Sequence, residues 1–160
     1  MSSSVPEIVL VDTDVYSYLL NGRGPTEAYR RHLEGKHIAL SFITIGELYF
    51  GAFKKNWGPA RIEALKDSFR SVAIVPYDQE VCRTYAEIKA QLESKGQRIE
   101  DNDTWIAACA LRHSIPLVSN NRSHFERVPG LVLISEGRSL AEVKSQTVFE
   151  VEPIEPEPLS

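Results

Sequence analysis

Short apolar runs alternate with longer segments of helical period along most of this chain. EIVLVD, residues 7–12, sets four apolar residues between two acids, the pattern of a buried strand entering a turn. TDVYSYLLNG follows as a short helix stopped at Asn21-Gly22, with Gly24-Pro25 completing the break. TEAYRRHLEG predicts a second helix ending at Gly35, and HIAL a short strand. Ser41 is placed to cap a longer helix, SFITIGELYFGAFKK, and Gly58-Pro59 to open another that ends near Phe69. VAIVP is a strand closed by Pro76, and DQEVCRTYAEIKAQLESKG carries Val81, Tyr85, Ile88 and Leu92 at helical spacing before a glycine stop. DNDTWIAACALRHS predicts a helix, IPLVS a strand, NNRSHF a polar turn and VPGLVLIS a last strand. Beyond Gly137 only SLAEVKS has helical character, and the Pro/Glu-rich end has the composition of a disordered segment.

This alternation indicates an α/β fold with a mostly parallel central sheet of four or five strands. One domain over residues 1–136 with an extension over 137–160 accounts for the pattern, and no internal repeat interrupts it. Parallel sheets take ligands outside the carboxyl ends of their strands. Two turns meet that rule here. Asp12 ends the first strand, and Asn120-Asn121 follow the strand LVS.

Composition narrows the picture without deciding it. A hydrophobic content of 42% and a charged content of 25% are ordinary for a globular protein. No run approaches the roughly 20 apolar residues of a membrane span, and no secretory signal is visible, so the cytoplasm fits best. Cys82 and Cys109 form no C-x-x-C pair, and the expectation is two buried free thiols. The net charge of −4 argues against a broad basic face for duplex nucleic acid. Glu150, Glu152, Glu155 and Glu157 account for that charge, so the body is near neutral. Local basic clusters such as Arg30-Arg31-His32 and Lys54-Lys55 leave a phosphate polymer open as a ligand.

The candidate chemistry lies in carboxylates at positions where apolar residues belong. Glu47 shares a helical face with Ile43, Thr44, Phe50 and Gly51, so it is expected to point into packed structure. Asp103 lies on the face of Ile106, Ala107 and Ala110, the side that packs on the sheet. Asp101 or Asn102 is the natural cap of that helix, and Asp12 and Asp14 bracket the start of the first one, where one of them can cap it or carry function. Acids converging from separate segments repel one another unless a cation sits between them. Carboxylate and amide oxygens suit Mg²⁺ or Mn²⁺ rather than zinc. No His/Cys ligand spacing, phosphate-binding glycine loop or nucleophile elbow competes with that assignment.

Four stretches together resemble the motifs of the PIN-domain nucleases, specifically the VapC-type toxins of bacterial toxin–antitoxin pairs. They are LVDTDVYSYLLNG, SFITIGELYFGA, NDTWIAACAL and LVSNNRSHFERVPGL, in the family's order over roughly residues 7–134. The resemblance implies a PIN-like α/β/α sandwich and a metal-dependent endoribonuclease. It further implies an RNA substrate, a cognate antitoxin protein and a homodimer. Carried over by position, Asp12, Glu47 and Asp103 are the metal-binding acids, with Mg²⁺ or Mn²⁺ as cofactor. The fourth catalytic position falls on Asn121, where many relatives have Asp. His124 stands where relatives often carry an acid, and its own context reads as a solvated loop histidine.

Two other readings compete. VLVDTDV also fits the strand-end motif of haloacid-dehalogenase-like phosphohydrolases, with Asp12 as nucleophile and Asp14 as general acid. That reading leaves Glu47 and residues 120–130 without a role, and no apolar strand ends in paired metal-binding acids. The other is a non-catalytic PIN-fold module that binds RNA or protein, its metal site weakened at Asn121.

Overall fold

The computed structural model describes residue 5 and residues 7–149. The Pro/Glu-rich end, expected to be disordered, lies outside the described residues. Five strands form the sheet: β1 (Ile8–Val11), β2 (His37–Ser41), β3 (Ala73–Val75), β4 (Leu117–Val118) and β5 (Leu133–Ile134). Their spatial order is β3-β2-β1-β4-β5 and every pairing is parallel. The sheet therefore has the larger of the two expected strand numbers and no antiparallel member.

Successive side chains of a strand point to opposite faces, and β1 uses both. Leu10 packs with Ala39, Val75 and Leu117 against α5 (Gln79–Ser94) and α6 (Asp101–Arg112). Val9 and Val11 pack on the other face against α1 (Thr13–Asn21), α2 (Thr26–Leu33), α3 (Phe42–Lys54) and α4 (Pro59–Ser68). Two apolar cores, one per face, explain why the strands read as continuous hydrophobic runs rather than alternating ones. Each fully buried Val or Leu stabilises by about 1.5–3 kcal/mol, and Val9, Leu10 and Val11 of the central strand are all fully buried.

Local signals set most of the boundaries. Ser41 Oγ accepts from the Thr44 amide at 3.1 Å and caps α3. Asp78 does the same for α5 through the Val81 amide at 2.7 Å. Gly22, at φ 64°, takes the left-handed conformation that ends α1 and returns its N–H to the Tyr18 carbonyl.

Three local expectations are corrected. The residue before α6 is Glu100, without a side-chain cap, whereas Asp101 lies inside the first turn and bonds Lys89 Nζ at 3.1 Å. NNRSHF is not a plain polar turn, because Arg122–Phe125 winds into a short helix, α7, that buries Phe125 completely. Cys109 is buried as expected, but Cys82 is exposed on the outer side of α5. All of the segment SLAEVKS except Ser139 falls within a last helix, α8 (Leu140–Phe149). Its start is tied back to α7 by the Leu140 amide, which donates to Glu126 Oε1 at 2.5 Å.

Candidate active site

The register of β1 against β4 creates the site. Val11 pairs with Val118, so the next residues, Asp12 and Ser119, leave the sheet side by side at its carboxyl edge. Strand order reverses between these two strands, which is the crevice where parallel sheets take ligands. Asp12 Oδ2 accepts from Ser119 Oγ at 2.7 Å, and its Oδ1 accepts from the Thr13 amide at 2.8 Å. Only 5% of Asp12 is exposed. Asp14 turns back from the first turn of α1. Its Oδ1 accepts from the Val15 amide at 2.6 Å and its Oδ2 from the Asn120 amide at 3.1 Å.

Burial is the main cause that pushes the Asp12 carboxyl up to about 8, and the charges of Asp14 and then Asp103 push the same way. Its bonds to Ser119 and Thr13 offset only part of that effect. Asp14 is raised to about 6, again chiefly by burial, against the pull of the Val15 and Asn120 amides. Among the described residues, neither acid has a Lys or Arg partner within 4.0 Å, and the same holds for Glu47.

Glu47 reaches the site from α3. Thr13 Oγ1 donates to Glu47 Oε1 at 2.8 Å and also lies 3.1 Å from Thr44 Oγ1, so one hydroxyl ties α1 to α3. Glu47 is half-buried rather than enclosed, because its face neighbour Phe50 is 66% exposed. Asp103 comes from α6 and shares a cavity of about 620 Å³ with Glu47, Arg98, Asn102 and His124. Asp103 Oδ2 accepts from Asn121 Nδ2 at 3.1 Å and lies 2.8 Å from His124 Nδ1. All four sequence-predicted positions therefore meet at one end of the sheet.

The structure adds residues that sequence reasoning set aside. Asp14 is part of the acid group and not simply a cap. His124 is a partner of Asp103 rather than a solvated loop residue. Ser119 and Thr13 hold Asp12 and Glu47 in place, and Ser119 Oγ also accepts from the Asn121 amide at 3.0 Å. Ser119 was findable, since it stands at the end of a strand beside the switch point. Tyr29 carried no signal at all. It is fully buried on α2, donates to Asn120 Oδ1 at 2.7 Å, and accepts from the Glu136 amide at 3.0 Å.

Asp12, Glu47 and Asp103 are an all-carboxylate donor set with excess charge, the chemistry that suits a hard divalent cation. Among the described residues, no three side chains of ligand type already converge on one point. Asp103 is engaged with His124 and Asn121 through Oδ2.

Comparison with known proteins adds the following. The model of the PIN domain family matches residues 9–131. Ribonuclease VapC2 of Haemophilus influenzae is 33% identical over 122 residues, covering 76% of this chain and 92% of that protein. The tRNA(fMet)-specific endonuclease VapC of Salmonella typhimurium is 29% identical over 123 residues, covering 76% and 92%. Among solved structures, VapBC2 from Rickettsia felis, bound to a DNA fragment from its promoter, superimposes with a TM-score of 0.71. That match is at 28% identity and covers 80% of this chain and 98% of that one.

Proposed function

Because this chain belongs to the PIN-domain family, we propose that it is a metal-dependent endoribonuclease and the toxin of a toxin–antitoxin pair. The observation that carries the reading is the meeting of Asp12, Asp14, Glu47 and Asp103 at one sheet edge, the first three without a Lys or Arg partner within 4.0 Å among the described residues. The names of the relatives support the choice of RNA over other phosphodiesters. The VapBC complex among the structural neighbours supports a small antitoxin as partner. A homodimer remains the expected assembly.

Asp12, Glu47 and Asp103 would hold Mg²⁺ or Mn²⁺, which supplies Lewis acidity at the scissile phosphate and lowers the pKa of an attacking water. The chain's own residues do the positioning. Ser119 and the Thr13 amide fix both oxygens of Asp12. Thr13 Oγ1 fixes one oxygen of Glu47 and leaves the other for the ligand side. Asn121 and His124 hold Asp103 by Oδ2. Asp14, held by two backbone amides, stands beside Asp12 as a second carboxylate able to accept the water's proton. Asn121 brings an amide where relatives often bring a charge, so it orients without adding to the negative field.

The phosphohydrolase alternative loses its ground. Asp12 is 5% exposed and bonded through both oxygens, a poor nucleophile, and the family match spans Glu47 and the 120–130 segment that it left without a role. The test of the nuclease reading is cleavage of single-stranded RNA with Mn²⁺ by the wild type and by Asp103→Asn. The wild type should cut and the variant should lose about 10²-fold or more. Equal cleavage by both would remove Asp103 from the site, and no cleavage by the wild type would leave the non-catalytic module.

A further inference from the structure

Beyond the acids, a narrow cleft runs from Thr13 and Glu47 past Ser17 and Gly51 to Lys55 and Trp57. There it opens into a second cavity of about 320 Å³ lined by Asn21, Arg23, Lys55, Trp57 and Arg61. Asn21, Lys55 and Trp57 line both spaces, so the acid centre and this cavity are two ends of one track. The cavity holds three cations and no acid. Among the described residues, none of Arg23, Lys55 and Arg61 has an acidic partner within 4.0 Å, although the chain as a whole carries a net charge of −4. The Arg61 guanidinium lies 3.8 Å from the Trp57 ring centroid. Trp57 is held by its own amide, which donates to the Ala52 carbonyl at 3.0 Å, after Asn56 turns the chain at φ 55°.

The geometry points to this cavity as a subsite for single-stranded RNA, gripping the strand on one side of the phosphodiester presented to Asp12, Glu47 and Asp103. The inference rests on the nuclease reading above and adds the residues that bind the flanking nucleotides. Unpaired cations recognise phosphates, and a guanidinium stacked on an indole offers a planar platform on which a base can lie. An acidic peptide would find the same cations but would then run into Glu47 at the far end of the cleft. A nucleic acid strand is held along the cleft by the three cations, and the Mg²⁺ or Mn²⁺ that Glu47 would help to hold would offset the acids at its far end.

The probe is a fluorescein-labelled single-stranded RNA of mixed sequence, titrated by anisotropy with EDTA present. Parallel cleavage gels carry Mn²⁺. The triple variant Arg23→Gln/Lys55→Gln/Arg61→Gln should bind about 10–100-fold more weakly at low salt. It should also flatten the slope of log affinity against log salt by about 2, from roughly 0.7 per single-strand phosphate contact over three cations. Arg61→Lys should keep the slope and still lose several-fold in affinity, since the charge remains and the stacked plane does not. Arg83→Gln, an exposed cation on α5, should change neither. Circular dichroism of each variant separates misfolding from lost contact, and the salt slope of Arg61→Lys requires no drastic substitution. If the triple variant binds like wild type while the wild type cuts RNA in an Asp103-dependent manner, the subsite is wrong and the nuclease reading stands. If the wild type neither binds nor cuts RNA, both fall. Unchanged RNA binding with lost binding of a protein partner would assign the cavity to that partner instead.

Discussion

Asp12→Asn should make the metal-free protein more stable, and increasingly so as the pH rises. The folded chain keeps the Asp12 proton up to about pH 8, whereas a free carboxyl releases it near 3.8. A raised carboxyl contributes stability below its unfolded value and loses it as the pH climbs through the folded one. Between those limits the native state holds one proton more than the unfolded chain, so stability falls by about 1.4 kcal/mol per pH unit. From pH 6 to pH 8 the loss is roughly 2 kcal/mol, once the partial ionisation near the upper end is allowed for. The side-chain amide of the variant has no proton to lose. Its oxygen can accept from the Thr13 amide and its NH₂ can donate to Ser119 Oγ, so both contacts of the carboxylate survive. In thermal melts with EDTA, the gap in Tm between variant and wild type should therefore widen by about 4–8 °C from pH 6 to pH 8. Saturating Mn²⁺ should narrow it by neutralising the wild-type charge. A gap that stays flat across this range, or a variant that melts lower at pH 8, would refute the picture of a buried, uncompensated carboxylate.

Three further substitutions separate support from chemistry. Asp101→Ala removes an exposed contact to Lys89 and Tyr85, so RNA cleavage should persist and Tm should move by no more than about 2 °C; lost cleavage would place Asp101 in the site. Gly137→Ala brings a Cβ to 1.9 Å from the Asn120 carbonyl oxygen, which forces the backbone apart. About 1–3 kcal/mol of stability should go, with cleavage falling too because the Asn120 amide holds Asp14; an unchanged Tm would show that the loop yields freely. Tyr29→Phe leaves Asn120 Oδ1 and the Glu136 amide without their hydroxyl partner, and should cost about 1–3 kcal/mol in urea denaturation.

The fold was legible because its signals are local. Apolar runs, the Ser41 cap and the Gly22 stop each act over a few residues, and the sheet's right to take ligands at its carboxyl edge follows from the alternation itself. Asp12, Glu47 and Asp103 stood out for a related reason: Glu47 and Asp103 are charges where the period asks for an apolar or small residue, and Asp12 ends a strand. Pairings across long sequence distances were not legible. Lys89 and Tyr85, on another helix, take Asp101 away from capping. His124 becomes a partner of Asp103 only once α6 and α7 are packed. Asp14 has the sequence look of a cap, and only the Asn120 amide, 106 residues away, shows that it turns inward. Cys82 has helical apolar neighbours but sits on the outward side of α5, a distinction of one residue in register.

The bond between Asp12 and Ser119 joins residues 107 positions apart. A parallel β1–β4 pairing cannot form until β4 has been made, and such non-local contacts are slow to close. A chain growing from the ribosome thus carries Asp12 and Glu47 long before it carries a site. On the nuclease reading proposed above, for a chain synthesised in the midst of RNA, that topology would act as a timing safeguard. The acids remain scattered until β4, and Ser119 after it, has emerged, so the site is among the last things the growing chain can assemble.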